Sequence, residues 1–306
     1  MQGATQGMGR ATGVARVAAE KRTLANTPVL GFLWALRRKP TGLISLFVLL
    51  AFVVIAAAAP WTAPYAYDQS TDAYAQGPSM AHWFGTDHLG RDVLSRVIWG
   101  GRVSLQVGFV SVFFGVIIGA AIGLMSGYFG GKIDMVTQRV VDVFMALPVF
   151  LLAITVVAAL GAGVMNITIA IAIGMIPGIS RVVRGSTLSV KETPYIEAAV
   201  SIGSQTGRVL IRHVLPNVMA AIIVVASIRL GIAIIAEASL SFLGIGVPPN
   251  EPTWGNMLSG AALSNMTRAP WMALFPGIAL TMTVLALNLF GDSARDILDP
   301  RMRGSK

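Results

Sequence analysis

Cysteine is absent from the 306 residues, which excludes disulfides, a thiolate nucleophile and any Cys-ligated metal. Charge is scarce as well: Asp, Glu, Lys and Arg make up 12% of the chain, against about a quarter in soluble domains. The only histidines, His82, His88 and His213, fall outside the apolar runs, so no Ser–His pair supports an intramembrane hydrolase. What fills the chain is apolar, with 55% hydrophobic residues and a mean hydropathy of +0.71. These residues come in runs of about 20, long enough to cross a hydrocarbon layer ~30 Å thick. Lipid forces every backbone N–H and C=O to be paired within its own segment. The expected fold is therefore an all-α integral membrane protein.

Six spans are expected, at about 41–59, 104–128, 137–162, 166–183, 217–240 and 271–291. With the N-terminus in the cytoplasm, the inside segments hold eighteen Lys and Arg and the outside segments four, with Arg229 left inside the fifth span. That excess places both termini in the cytoplasm. It also explains the net charge of +9 as topology, so no nucleic-acid partner is expected.

Residues 1–40 read as a cytoplasmic tail that closes with a short interfacial helix. Trp34 suits the headgroup level there, and Arg37, Arg38 and Lys39 suit an anionic inner leaflet. The sequence Ala57-Ala58-Ala59-Pro60 resembles a secretory cleavage site, but the preceding 40 residues are too long for an n-region, so the first span reads as an uncleaved anchor. The membrane-spanning body covers 41–292, with ordered external loops at 60–103 and 244–270 and a cytoplasmic tail at 293–306.

One polar interruption, at 185–216, separates two long apolar runs on the cytoplasmic side. Thr193-Pro194 is a helix start, with Thr at the N-cap and Pro at the first helical position. Gly203 is placed to end that helix in a left-handed conformation. A second short helix is expected from Ser204 or Thr206 to Leu215, before Pro216 opens the next span. On physical grounds alone this is an ordinary amphipathic loop or a protruding contact element.

The order of its residues resembles the EAA loop of ATP-binding cassette (ABC) importer permeases. Glu197-Ala198-Ala199 is followed by Gly203 and then by Leu215-Pro216. His213 stands where the general pattern has an apolar residue, and Arg212-His213-Val214-Leu215-Pro216-Asn217 is similar to the peptide-transporter branch. Other segments agree: Phe84-Gly85-Thr86-Asp87-His88-Leu89-Gly90-Arg91-Asp92, then Ser241-Phe242-Leu243-Gly244 with Trp254-Gly255, then Leu298-Asp299-Pro300-Arg301. From about residue 30 onward the chain resembles the C-type permease subunit of dipeptide/oligopeptide ABC importers. That resemblance implies a type I importer architecture in a prokaryotic plasma (inner) membrane. It implies ATPase coupling through Glu197, Ala198, Ala199, Gly203, His213, Leu215 and Pro216. It also implies a homologous B-type permease partner, two ABC ATPase domains that bind ATP and Mg, and an extracytoplasmic substrate-binding protein. No catalytic residue and no cofactor are expected in this chain. The same scaffold serves dipeptides, longer peptides, nickel, glutathione and haem.

Arg229 and Glu237 lie inside an apolar run, where charge is costly and faces a bundle interior or an aqueous path. Eight residues apart, they are separated by about 80° around the helix and ~12 Å along it, which disfavours a direct pair. They are translocation-pathway candidates; buried pairing with another helix is the alternative. A secondary transporter or channel using both charges is the competing function. Asp87, His88, Gly90, Arg91 and Asp92 form an external-loop motif. Helix capping by its acids and pairing with Arg91 and Arg96 are preferred there to metal binding. Gly130-Gly131-Lys132 fails the phosphate-loop pattern, because Ser126 and Ile133 occupy required Gly and hydroxyl positions. Arg139 and Asp142 are expected to pair across one turn. Gly115, Gly119, Gly123 and Gly127, at four-residue steps, predict a close helix–helix seam.

Overall fold

The computed structural model describes Phe32 and residues 34–298. Of the expected N-terminal tail, Phe32 and residues 34–40 are described, with the Arg38 guanidinium 3.8 Å over the Trp34 ring; the rest of that tail and the Asp299-Pro300-Arg301 ending lie outside the described residues.

The described chain is built of helices. The principal ones are α1 (Pro40–Ala57), α2 (Val93–Phe129), α3 (Gly131–Ala146), α4 (Val149–Leu160), α5 (Val164–Lys191), α6 (Pro194–Ser201), α7 (Thr206–Phe242) and α8 (Trp271–Leu298). Of these, α1, α2, α5, α7 and α8 are each long and apolar enough to cross a membrane, and the total is six where the bent pair α3 and α4 crosses as one span rather than re-entering on the same side.

The bent pair corrects the single straight helix expected over 137–162. Leu147 is extended (φ −90°, ψ 132°), and α3 and α4 diverge by 88°. The cause is Pro148, which drives the preceding residue out of the helical region and cannot donate a backbone hydrogen bond. A hydropathy window averages over that proline.

Helices also run past the apolar windows. α2 begins at Val93 rather than near 104, because Asp92 caps it: Ser95 donates to Asp92 Oδ2 from its backbone N at 2.8 Å and from its Oγ at 2.7 Å. α5 continues to Lys191, where the Lys191 ammonium donates to the Tyr128 carbonyl at 2.7 Å. α7 starts at Thr206, eleven residues before the expected 217.

The tightest seam joins α2 to α5. A Cβ on Gly119 would stand 2.9 Å from Ile179 Cβ, one on Gly123 2.9 Å from Val183 Cβ, and one on Gly127 2.9 Å from Thr187 Cβ. In lipid no hydrophobic force drives helices together, so close backbone approach and van der Waals contact hold such a seam. At its cytoplasmic end Arg184 of α5 donates to Asp134 of α3 from Nε at 2.6 Å, and Ser126 of α2 joins the same carboxylate. The expected Arg139–Asp142 pair does not form; Asp142 pairs instead with Arg181. The partner across the helix interface is nearer to its carboxylate than the one on its own helix.

The external loops are ordered by aromatic anchors. Trp254 is buried, donates from Nε1 to the Val97 carbonyl at 3.0 Å and packs over Gly101. Trp271 at the head of α8 donates from Nε1 to the Thr86 carbonyl at 3.0 Å, and Phe84 stacks on Phe275 with centroids 3.9 Å apart.

Candidate functional site

The cytoplasmic element starts where α5 ends. Thr193 occupies the N-cap position and Pro194 the first helical position, but the Thr193 hydroxyl donates back to the Val190 carbonyl at 2.6 Å instead of capping α6. Ile196 and Ala199 are buried against the body, whereas Glu197, Ala198 and Val200 face outward. Gly203 terminates the helix at φ +79°. The Ser204 N–H reaches the Ala199 carbonyl at 3.2 Å and the Gly203 N–H the Val200 carbonyl at 2.9 Å. This pair of bonds is the Schellman arrangement, which favours glycine because a Cβ is disfavoured at positive φ. Ile202, immediately before the glycine, is 83% exposed.

The second expected short helix is not separate. From Thr206 the chain runs into α7 without a break, through a π-helical turn at Leu210–Val214. Pro216 explains the widening: its ring clashes with the carbonyl four residues back, and it has no N–H to donate. The Leu215 N–H instead bonds to the Leu210 carbonyl. Asn217 Nδ2 donates to the His213 carbonyl at 2.7 Å and to Tyr195 Oη at 2.8 Å, and Tyr195 Oη donates to the same carbonyl at 3.3 Å. The peptide of His213, rather than its ring, thus ties α6 to α7. Leu215 packs part-buried against the main core, and Pro216 is exposed. Tyr195 and Asn217 were not singled out from sequence; the proline between them was the available signal.

This surface offers exposed apolar side chains on a short, firmly stopped helix braced against a membrane span. Such a shape can transmit displacement from a docked partner into α5 and α7.

The two intramembrane charges lie in different surroundings. Glu237 is fully buried, with Ser104, Ser241 and Thr253, each also fully buried, around its carboxyl. Ser241 Oγ donates to Oε1 at 2.8 Å. The backbone N–H groups of Trp254 and Asn256 donate to Ser104 and Thr253 at 3.3 and 3.1 Å, and Glu237 Oε2 has no hydrogen-bond partner among the described residues. Ser104 and Thr253 were missed because they come from α2 and from a loop far away in sequence, whereas Ser241 lies one turn along α7. Arg229 is partly buried, with its guanidinium against Gly178 of α5. Arg229 and Glu237 do not pair with each other.

In the external motif, Asp87 Oδ1 accepts from the Leu89 and Arg91 N–H groups at 2.8 and 3.0 Å, and Arg91 Nε donates to Oδ2 at 2.7 Å. Arg96 lies 3.7 Å from the same carboxylate. Asp92 caps α2 and meets His82 Nδ1 at 2.9 Å. Gly90 brings its carbonyl to Thr71, whose N–H donates at 3.0 Å. His88 is exposed. Among the described residues no group of three or more His, Asp and Glu is arranged to hold a metal. Asp87 and Asp92 therefore serve as turn and cap acceptors.

Residues 115–304 match the family described as binding-protein-dependent transport system inner membrane component, and residues 27–79 match the N-terminal transmembrane domain of oligopeptide transport permease C. The chain is 47% identical over 260 residues to the glutathione transport system permease protein GsiD of Pectobacterium atrosepticum, covering 84% of this chain and 86% of that protein. It is 46% identical over 262 residues to GsiD of Escherichia coli O1:K1, covering 85% and 86%. Among solved structures, inward-facing conformations of the MetNI methionine ABC transporter share its fold. In the native crystal form the TM-score is 0.54 at 20% identity, over 67% of this chain and 97% of that one.

Proposed function

The chain belongs to the binding-protein-dependent transport system inner membrane component family, and on that premise we propose that it carries short peptides, driven through its α6 element by ATPase partners. It is a multi-pass, non-catalytic permease subunit of an ABC importer, resident in the inner membrane, and such permeases work with ATPase and substrate-binding partners. The finer assignments are proposals. The subunit pairs with a homologous B-type permease, two ABC ATPase domains hold ATP and Mg, and an extracytoplasmic binding protein delivers cargo to the outer loops. The cargo class is dipeptides and oligopeptides, with glutathione the first ligand to test given the names of the relatives.

The observation that carries the coupling proposal is α6 itself, stopped at Gly203 with Val200 and Ile202 presented outward. Exposed apolar side chains on a rigid stop are what a groove on a partner would bury. The test is Ile202→Glu in the co-expressed complex. The permease pair should still assemble while the ATPases dissociate and peptide-stimulated ATP hydrolysis is lost. ATPases retained with undiminished stimulation would overturn the assignment. Uptake of labelled dipeptides, longer peptides and glutathione into proteoliposomes ranks the cargo.

A further inference from the structure

Two separate cavities lie along α7 and α5. The outer one, about 290 Å³, is lined by Ile171 and Met175 of α5 and by Ile232, Ile235 and Ser239 of α7. The inner one, about 480 Å³, is lined by Val182 and Ser186 of α5, by Val225 and Ile228 of α7 and by Arg295 of α8, a second cation nearer the cytoplasmic end. Between them, on both helices, sit Gly178 and Arg229, with the guanidinium laid across the glycine. From the outer ends of their helices, Arg229 and Gly178 are each about 20 Å deep at 1.5 Å per residue. Both residues therefore lie within the hydrocarbon thickness, toward its inner side.

A membrane arginine calls for an anion. None of the described carboxylates on the inner half of the bundle pairs with Arg229: Asp142 is engaged by Arg181, Asp134 by Arg184 and Asp296 by Lys39, Asp292 is exposed on α8, and Glu237 is bonded at Oε1 by Ser241. Among the described residues no ion pair or hydrogen bond engages Arg229. A planar guanidinium presents a fork of donors that fits a carboxylate in bidentate fashion. We propose that Arg229 is a substrate-binding and specificity-determining residue, holding a carboxylate of the passing peptide at the level between the two cavities. This rests on the peptide-importer reading above and adds a contact point to it. Gly178 serves the site by leaving room: a side chain there would occupy the guanidinium's place.

The absence of cysteine from the chain makes a charge-replacement experiment available. The full importer, with Arg229→Cys in this subunit, is reconstituted in proteoliposomes. The probe is S-methylglutathione, which keeps both carboxylates and carries no free thiol. Uptake should fall at least tenfold. A thiosulfonate reagent adding an ethylammonium group should restore most of it, and one adding an ethylsulfonate group should not. The unsubstituted complex, treated identically, corrects for cysteines in the partner subunits, and co-purification confirms assembly. Uptake within twofold of the parent before modification would overturn the inference. So would rescue by both reagents or by neither, and a loss of subunit assembly would identify Arg229 as a counter-charge for a partner subunit instead. If the parent complex imports a dipeptide or longer peptide instead of the probe, that peptide replaces it in the same test; if it imports only a non-peptide solute, the peptide reading falls and this inference with it. If the parent imports normally and the rescue pattern fails, only the inference falls.

Discussion

The α2 seam and the turn after α6 both depend on glycine, for opposite reasons. In the seam, Gly119, Gly123 and Gly127 have ordinary helical conformations, and the space a Cβ would need is filled by α5. At the turn, nothing lies within 4 Å of where a Gly203 Cβ would stand, but the backbone is left-handed at φ +79°. One region needs the absence of volume and the other needs conformational freedom. The first is buried and determines whether the bundle forms. The second is exposed and determines the shape presented to a partner. Substitutions should therefore separate folding from coupling.

Breaking the seam should have the largest effect. In Gly123→Ile the added side chain meets the Ser180 carbonyl and Val183. Overpacking costs about 1–3 kcal/mol or more, and here backbone faces backbone with little freedom to move. Loss of folded protein in detergent, read by yield and thermal unfolding, is the expected result; a normally folded variant would contradict the close-packed seam. Next comes Glu237→Leu, which strands the buried Ser241 hydroxyl at about 1–3 kcal/mol. Its Tm should drop clearly, and Glu237→Gln should recover part of the loss because an amide oxygen still accepts that bond.

Gly203→Val should fold normally yet cost about 1–2 kcal/mol of local strain at the turn. Its signature is intact assembly of the permease pair with weakened ATPase association, and Gly203→Asn should be milder because asparagine tolerates the left-handed region. If Gly203→Val instead destabilised the bundle as much as Gly123→Ile, the contrast between the two regions would collapse. The smallest effect belongs to Tyr195→Phe. It removes the hydroxyl joining Asn217 and the His213 carbonyl, and an exposed bond of this kind contributes about 1 kcal/mol at most. A slight fall in Tm, with a measurable fall in coupling, is the expected pattern.

Much of the architecture was legible from local pattern. Long apolar runs identified the spans, because lipid leaves a spanning backbone few options. The four-residue glycine period identified the seam, and Thr193-Pro194 with Gly203 outlined α6. The order Glu197-Ala198-Ala199, Gly203, Leu215-Pro216 pointed to the family before the fold was known. The misreadings have physical causes. Pro148 bends a segment whose average hydropathy is uniform. Pro216 was read as a break, but a π turn absorbs it within a continuous α7. Helix ends extend beyond the apolar windows, because caps such as Asp92, rather than hydropathy, determine where they begin.

The sequence by itself determined the class, the approximate number of membrane crossings and their orientation. These follow from one-dimensional quantities: run length, charge asymmetry and residue order. Only the tertiary structure decided which charges meet. Asp142 pairs with Arg181 across a helix interface, Glu237 gathers hydroxyls from α2 and the loop at Thr253, and Arg229 lies over Gly178 between two cavities. Such contacts act over a few ångströms between residues tens or hundreds of positions apart, so helix packing, rather than periodicity along the chain, determines them.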